Sequence, residues 1–278
     1  MHYKHRWLKF NGITIGRNSP YLLTTIQGVS EGTVSRKETN YIDQDGAEFS
    51  DVSFNTRPFP VTGYILTDSE AVAERRCREL STACIPKKPF KLVYFNGLRK
   101  FAAECYADEL PVFTKINSKN FQFSINFINT GFYWNDVKLM QKNVNAKEDM
   151  VINGSFVLPM VFTRMYSSAE VRNYGDVETE PVITVTAIAD SEEQTVTIVN
   201  ETTGKSVGIN YQLVNGEVLT FDHTEGDVTS NIAGNVINKL IKTSDFWALE
   251  PGVNVVSSPN TNVQVCVQYK SRYVGVGA

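Results

Sequence analysis

The sequence predicts a mainly β protein of two domains, built on antiparallel sheets and carrying one clear helix. Three observations carry this. Apolar and polar residues alternate along several runs, Asn-Gly dipeptides punctuate the chain, and strand patterning lapses at Gln141 to Asp149, where the charge changes sign. Successive side chains of a strand point to opposite faces, so alternation gives each strand one buried and one wetter face. That suits antiparallel sheets, because parallel ones read as near-continuous apolar runs. A length of 278 residues is also enough for two cores.

The alternation is plainest where Phe121, Phe123, Ile125 and Phe127 interleave with Gln122, Ser124 and Asn126. Ile183 and Val185 alternate with Thr184 and Thr186, and Val263, Val265, Val267 and Tyr269 with Gln264, Cys266 and Gln268. The Asn-Gly pairs are Asn11-Gly12, Asn96-Gly97, Asn153-Gly154 and Asn215-Gly216. Such pairs tolerate the positive φ angles of a type I′ turn. Two hairpins are predicted from them: Phe90 to Phe95 with Lys100 to Tyr106, and Ile209 to Val214 with Val218 to Asp222. Asp43 to Ser50 is polar and reads as an exposed loop.

The helix spans about Asp68 to Ala83. Thr67 and Glu70 fit a capping box. Ala73, Cys77, Leu80 and Cys84 recur at helical spacing and give one apolar face. Glu74 and Arg78 are placed to pair on the wet side, and Pro86 ends the helix. Val236, Ile237, Leu240 and Ile241 fit either a short helix or a strand.

The domains are placed at residues 1–145 and 146–278. The first carries 19 Lys+Arg against 14 Asp+Glu, the second 8 against 16. Different surfaces on two domains explain this simply; complementary contact between copies or with partners is the sharper reading. Cys77, Cys84, Cys105 and Cys266 lack metal-ligand spacing and are too sparse for a disulfide framework, so free thiols made in a reducing cytoplasm are expected. The basic N-terminus (His2, Lys4, His5, Arg6, Lys9) is not followed by the apolar run of a secretion signal. No stretch approaches the roughly 20 apolar residues needed to span a membrane.

Several fragments imitate active sites. Thr203-Gly204-Lys205-Ser206 ends like a phosphate-binding loop, but Val199 stands where the pattern needs glycine, so a hairpin turn is expected. Asp222-His223 is an adjacent acid and base with no nucleophile in view, and reads as turn residues. Asn153-Gly154-Ser155 and Asn200-Glu201-Thr202 match the glycosylation pattern by turn composition. Arg75, Arg76 and Arg78 sit among Glu70, Glu74 and Glu79 and read as a solvated helix face. No catalytic residue, cofactor site or metal site is predicted.

The order of these features resembles the distal tail protein family of long-tailed phages. In the first half the resemblance rests on Phe10-Asn11-Gly12, the loop around Asp45-Gly46, and the helix at Glu70 to Leu80. It continues through Pro89-Phe90-Lys91-Leu92-Val93-Tyr94 with Asn96-Gly97, then Phe121 to Phe127 and Phe132-Tyr133-Trp134. In the second half it rests on Asn153-Gly154 with Pro159, and on Thr195 to Asn200 followed by Thr202-Thr203-Gly204. Asn215 to Asp222, and Phe246 with Leu249 to Asn254, complete it. A basic stretch stands where the family has an apolar-aromatic N-terminal strand.

The resemblance implies an N-terminal antiparallel β-barrel-like domain and a C-terminal galectin-like β-sandwich. It also implies a homohexameric ring in the virion, at the tail tip. The ring would join the major tail tube protein to the tail-tip hub and support host adsorption, with receptor-binding proteins on its outer domains. DNA would pass through without specific binding, and no membrane insertion is implied. Ring closure is expected in residues 1–145, where aromatic residues are denser. Phe54, Phe59, Phe113 and Trp134 are the candidate interface, because aromatics are enriched at the centres of such contacts. The alternative is a carbohydrate-binding module, for which Trp247 is the second domain's one tryptophan, in an apolar context. An enzyme is the third class and has no motif to support it.

Overall fold

The alternating runs form strands. The computed structural model describes residues 6–16, 18–40, 47–144, 147–152, 160–165, 168–190, 195–260 and 262–277. The chain divides into two units, Met1–Val137 with Tyr273–Ala278, and Lys138–Arg272. The boundary expected after residue 145 thus falls after 137, and the last residues return to the first unit. The cause is local. Met140–Asn143 pairs with Val263–Tyr269 inside the second unit, so the polar stretch begins with a strand.

The first unit runs β1 (Trp7–Phe10), β2 (Ile13–Gly16), β3 (Tyr21–Ile26), β4 (Val34–Asn40), β5 (Ala47–Phe54), β6 (Arg57–Leu66) and α1 (Glu70–Ala83). It continues with β7 (Phe90–Phe95), β8 (Lys100–Ala107), β9 (Val112–Lys115), β10 (Asn120–Asn129) and β11 (Trp134–Asp136). Pairing in the order β8-β7-β1-β2-β3-β6-β10 returns to β8 through Phe127 and Ala107, which closes a seven-stranded barrel. Its steps are antiparallel except β2 to β3. Phe10, Phe59, Phe90, Phe123, Phe127 and Trp134 fill it. Phe10 meets Phe127 edge-on at 4.8 Å, and Phe59 stacks on Trp134 at 4.8 Å.

Helix α1 closes one barrel end with Ala73, Leu80 and Cys84 buried, as the spacing predicts. Asn11 Nδ2 donates to Ala83 O at 2.8 Å, and Tyr21 Oη to Arg76 O at 3.1 Å. The cap is Ser69 rather than Thr67: Ser69 Oγ accepts from the Val72 N–H. Thr67 is drawn into the β9–β10 turn, where its Oγ1 donates to Lys119 O at 2.7 Å. The helix's ion pairs run from Arg75 and Arg76 to Glu79, not from Glu74 to Arg78.

The second unit has β12 (Met140–Asn143), β13 (Lys147–Ile152), β14 (Met160–Met165), β15 (Ser168–Asn173), β16 (Val182–Ala187) and β17 (Val196–Asn200). Then come β18 (Lys205–Ile209), β19 (Val218–Asp222), β20 (Asp227–Ser230), β21 (Gly234–Asn235), β22 (Gly252–Ser257) and β23 (Val263–Tyr269). One sheet is ordered β12-β23-β16-β19-β20-β21 and the other β15-β22-β17-β18, while β13 and β14 pair alone. Ile183, Val185, Phe221 and Val265 from the first sheet share a core with Val171, Ile198, Val207 and Val256 from the second. This is a β-sandwich.

The four Asn-Gly pairs behave differently. Asn11-Gly12 alone among the described pairs has both φ angles positive, 42° and 80°, and makes the two-residue turn. The β7–β8 hairpin forms as expected, but over four residues. Asn96 Oδ1 accepts the N–H groups of Leu98 and Arg99, and the strands pair from Phe95 to Lys100. At Asn215-Gly216 the expected hairpin is absent, because residues 210–217 are a loop pinned by buried Glu217. Glu217 accepts from Tyr211 Oη at 2.6 Å, Ser230 Oγ at 2.5 Å and Val214 N at 3.2 Å. Burial pushes its carboxyl pKa up, but those hydrogen bonds outweigh it and hold the group below its usual range. Asn153-Gly154 lies outside the described residues. So does Asp43 to Gly46 of the expected loop, whereas Ala47 to Ser50 belong to β5. Residues 236–241 contain a 3₁₀ turn, Ile237–Lys239, rather than a regular helix or strand.

Candidate assembly surfaces

Two surfaces of the first unit leave apolar side chains accessible. The first is an arm. β4 and β5 form a two-stranded sheet apart from the barrel, from Val34 opposite Phe54 to Asn40 opposite Ala47. An isolated two-stranded hairpin is marginal in water, so its base must be held. Asn55 N donates to Thr33 O at 3.1 Å, and Ser35 Oγ to Asn55 Oδ1 at 2.8 Å. Phe54, 50% exposed, stacks on Phe132 at 4.1 Å. The other support of Phe132 is buried Arg57, whose guanidinium carbon lies 4.8 Å from the ring centroid.

Arg57 donates from Nε to Glu31 O at 2.6 Å, and from Nη1 to Phe132 O at 3.1 Å and Val274 O at 2.6 Å. One buried cation therefore ties together the chain before the arm, the Phe132 turn and the returning C-terminus. Burial lowers its pKa, but arginine remains charged. Phe132 has φ of 59°, a strained position for a bulky residue. A Cβ at Gly32 would come within 2.5 Å of its ring, so glycine is required there.

The second surface is an edge. β9 pairs with β10 and ends the sheet, so among the described residues its other edge has no strand partner. Leu110, Val112 and Ile116 are exposed along it. Lys115 Nζ to Glu70 Oε1, at 2.8 Å, fastens the strand to α1. An open edge offers unpaired backbone groups to another chain.

Of the four residues predicted for an interface, Phe59 and Trp134 are core, each 0% exposed. Trp134 Nε1 donates to Val29 O at 3.1 Å. A side chain without exposure has nothing to offer a second copy, so these two are corrected. Phe54 sits at the arm's base, and half-buried Phe113 lies on β9 opposite Phe123. The structure adds Val34, Leu110, Val112 and Ile116 to the accessible apolar set. Density of aromatic residues cannot separate the two groups, since a wide barrel needs rings too. Val112-Phe113, adjacent apolar residues in a short strand, was the signal for apolar side chains on both faces.

Residues 10–129 match the model of the phage tail protein RIFT-related domain, and residues 174–273 that of the siphovirus-type tail component, C-terminal domain. The chain belongs to the distal tail protein family of long-tailed phages. A search of curated protein sequences finds no match. Among solved structures, SPP1 Dit (gp 19.1) is similar at a TM-score of 0.74 and 13% identity, over 96% of this chain and 98% of that one. That protein is described as a paradigm of the hub adsorption apparatus in phages infecting Gram-positive bacteria. A chain of the phage P2 baseplate in its activated conformation with Ca is similar at 0.52 and 10% identity, over 98% and 99%. These identities carry the fold alone. Membership makes the chain a structural tail component of the virion.

In this distal tail protein the remaining sequence candidates fall in turns or in the core. Thr203-Gly204 turns β17 into β18. Asp222 Oδ1 accepts from the Thr224 and Glu225 N–H groups, while His223 is buried edge-on against Phe246 and Trp247. Acid and base therefore face different surroundings. Trp247 is core and offers no sugar platform. Asn200 is buried, with Nδ2 donating to Ala248 O, and is closed to glycosylation. Cys84 and Cys105 are buried; desolvation pushes the Cys84 thiol up to about 12.

Proposed function

We propose that six copies of this chain form a ring at the distal end of the tail, joining the tail tube protein to the tail-tip hub. The first units close the ring and DNA passes through its centre without specific binding. The second units project outward, carry receptor-binding proteins and so support adsorption. The observation behind this reading is the succession of two tail-component domains on two folded units, within a fold shared over almost the whole of SPP1 Dit.

Closure of a ring needs two different patches that meet under rotation. The arm with Phe54 and the β9 edge are two such patches on one unit. The chain is made in the host cytoplasm and acts without catalysis. Negative-stain imaging of purified protein and of tails tests the ring: six-fold particles with a central hole are expected. A stable dimer at every concentration, with no rings in tails, overturns it.

A further inference from the structure

The outer barrel face of β1, β7 and β8 belongs to neither surface above. On β1, β7 and β8, Leu8, Leu92, Tyr94 and Phe101 point inward and are buried. The alternate residues face out. Trp7, Phe95 and Lys100 form one cross-strand row, Lys9 stands beside Val93 in the next, and Lys91 lies opposite Glu104. Trp7 and Phe95 stack at 5.6 Å, and Lys100 Nζ is 5.5 Å from the Trp7 ring centroid. Lys9, Lys91 and Lys100 are in no ion pair among the described residues. The β7–β8 turn carries Leu98, 89% exposed, the most exposed of the large apolar side chains described. Beside Trp7 lies a shallow pocket of about 320 Å³ lined by Trp7, Lys9, Thr14 and Asn18.

Each feature narrows the occupant. Unpaired ammonium groups with one carboxylate, Glu104, among them give a positive face, so the partner is acidic. The pocket sets an ammonium, a hydroxyl and an amide against an indole wall, which suits a carboxylate side chain with an apolar stem. Leu98 needs an apolar socket, which a protein offers and a phosphate backbone does not. The Trp7 ring already stacks on Phe95, leaving less of it for a nucleic-acid base.

We propose that this face docks an acidic surface of another tail protein, with Leu98 as apolar anchor and Lys9, Lys91 and Lys100 as a charged rim. The proposal rests on membership of the tail and not on the ring. The test places a photo-crosslinking residue at position 98 of the full chain in assembled tails, with position 119 as control, and identifies products by mass spectrometry. A peptide rich in Asp and Glu from a different tail protein is expected. Its yield should fall about tenfold in the Lys9→Glu/Lys91→Glu/Lys100→Glu variant, since rim charges set association. Substitution of the same three lysines by Gln should give an intermediate loss. Products with DNA, with another copy, or with a basic or neutral peptide overturn the proposal. So does a yield no higher than the control's, or one undiminished in a folded variant. Images of the same tails report on the ring separately.

Discussion

The two units solve the same problem, covering apolar sheet faces, with different materials. The first closes its sheet on itself and fills it with rings: Phe10, Phe59, Phe90, Phe123, Phe127 and Trp134. The second faces one sheet with another and fills the gap mostly with Val, Ile and Leu, keeping Phe221 and Trp247 among few large rings. Facing sheets lie roughly 10 Å apart, a thickness that branched aliphatic chains fill well. The second unit also buries polar side chains that hold its loops. Asn173 Nδ2 donates to Val177 O and Leu249 O, and Asn254 Nδ2 to Glu250 O. Closure removes edges within the barrel, so the first unit's edge contacts are left to strands outside it, such as the arm and β9.

The largest test of this contrast is at the returning C-terminus. Tyr273 and Val276 are buried in the first unit. Asn96 Nδ2 donates to Val276 O at 2.7 Å, and Arg99 Nη2 to Tyr273 Oη at 2.9 Å. Deleting residues 273–278 removes these and strips Arg57 of an acceptor. We expect a loss of about 5 kcal/mol or more from the first unit's stability, combining lost burial with an under-satisfied buried cation. Calorimetry should show the first unit's transition lowered or lost and the second's kept. The same reasoning says that residues 1–145 alone will not fold stably. A soluble, cooperatively folded 1–145 fragment would show that the strap is dispensable.

Next come the four aromatics. Trp134→Ala and Phe59→Ala should each destabilise the first unit by about 3–5 kcal/mol, as core truncations do. Phe54→Ser and Phe113→Ser should cost far less in the monomer yet reduce ring yield. If Phe54→Ser unfolds the unit as Trp134→Ala does, the arm's base is core and not contact surface.

Sequence made the strands legible where one face is buried and the other wet, as from Phe121 to Phe127. It made the helix face legible through Ala73, Cys77, Leu80 and Cys84. It did not separate Phe59 and Trp134 from Phe54, because burial of an aromatic depends on barrel closure, a property of pairings distant in sequence. It misplaced the hairpin at Asn215-Gly216 because buried Glu217 takes the Val214 N–H that a strand ladder would use. It did not reveal the C-terminal strap, since Tyr273 to Val276 carries no pattern pointing to Val29, Arg57 and Asn96. Asn11-Gly12, with weaker flanking patterns than the two predicted hairpins, made the type I′ turn.

A smaller effect belongs to the second unit alone. Burial pushes His223 from 6.5 down to about 4. Its folded-state value lies below its unfolded one, so the unfolded chain binds the extra proton between those limits. Stability is full above pH 6.5 and falls as pH drops towards 4, by about 3 kcal/mol. Tracking the second unit's transition between these pH values should show this slope, and His223→Leu should flatten it. An equal slope in the first unit, or none in either, would mean that the imidazole is not the group responsible.

The smallest effect tests whether the units are independent. Ser69 caps the first unit's helix, and an N-cap serine replaced by alanine costs about 1 kcal/mol. Helix α1 seals the barrel end through Leu80 and Cys84, so fraying its first turn should be felt by the whole barrel core. For domains of this size the expected shift is about 3 °C in the first unit's transition. The second unit has its own core and no part in the cap, so its transition should not move with Ser69→Ala. Thr67→Val is the companion measurement, because the Thr67 hydroxyl reaches the Lys119 and Ser69 carbonyls and accepts from no N–H of the helix's first turn. Loss of helical signal near residue 70 should therefore follow Ser69→Ala and not Thr67→Val. A joint shift of both transitions in Ser69→Ala would show that the units unfold as one, and the contrast between them would then describe architecture without describing stability.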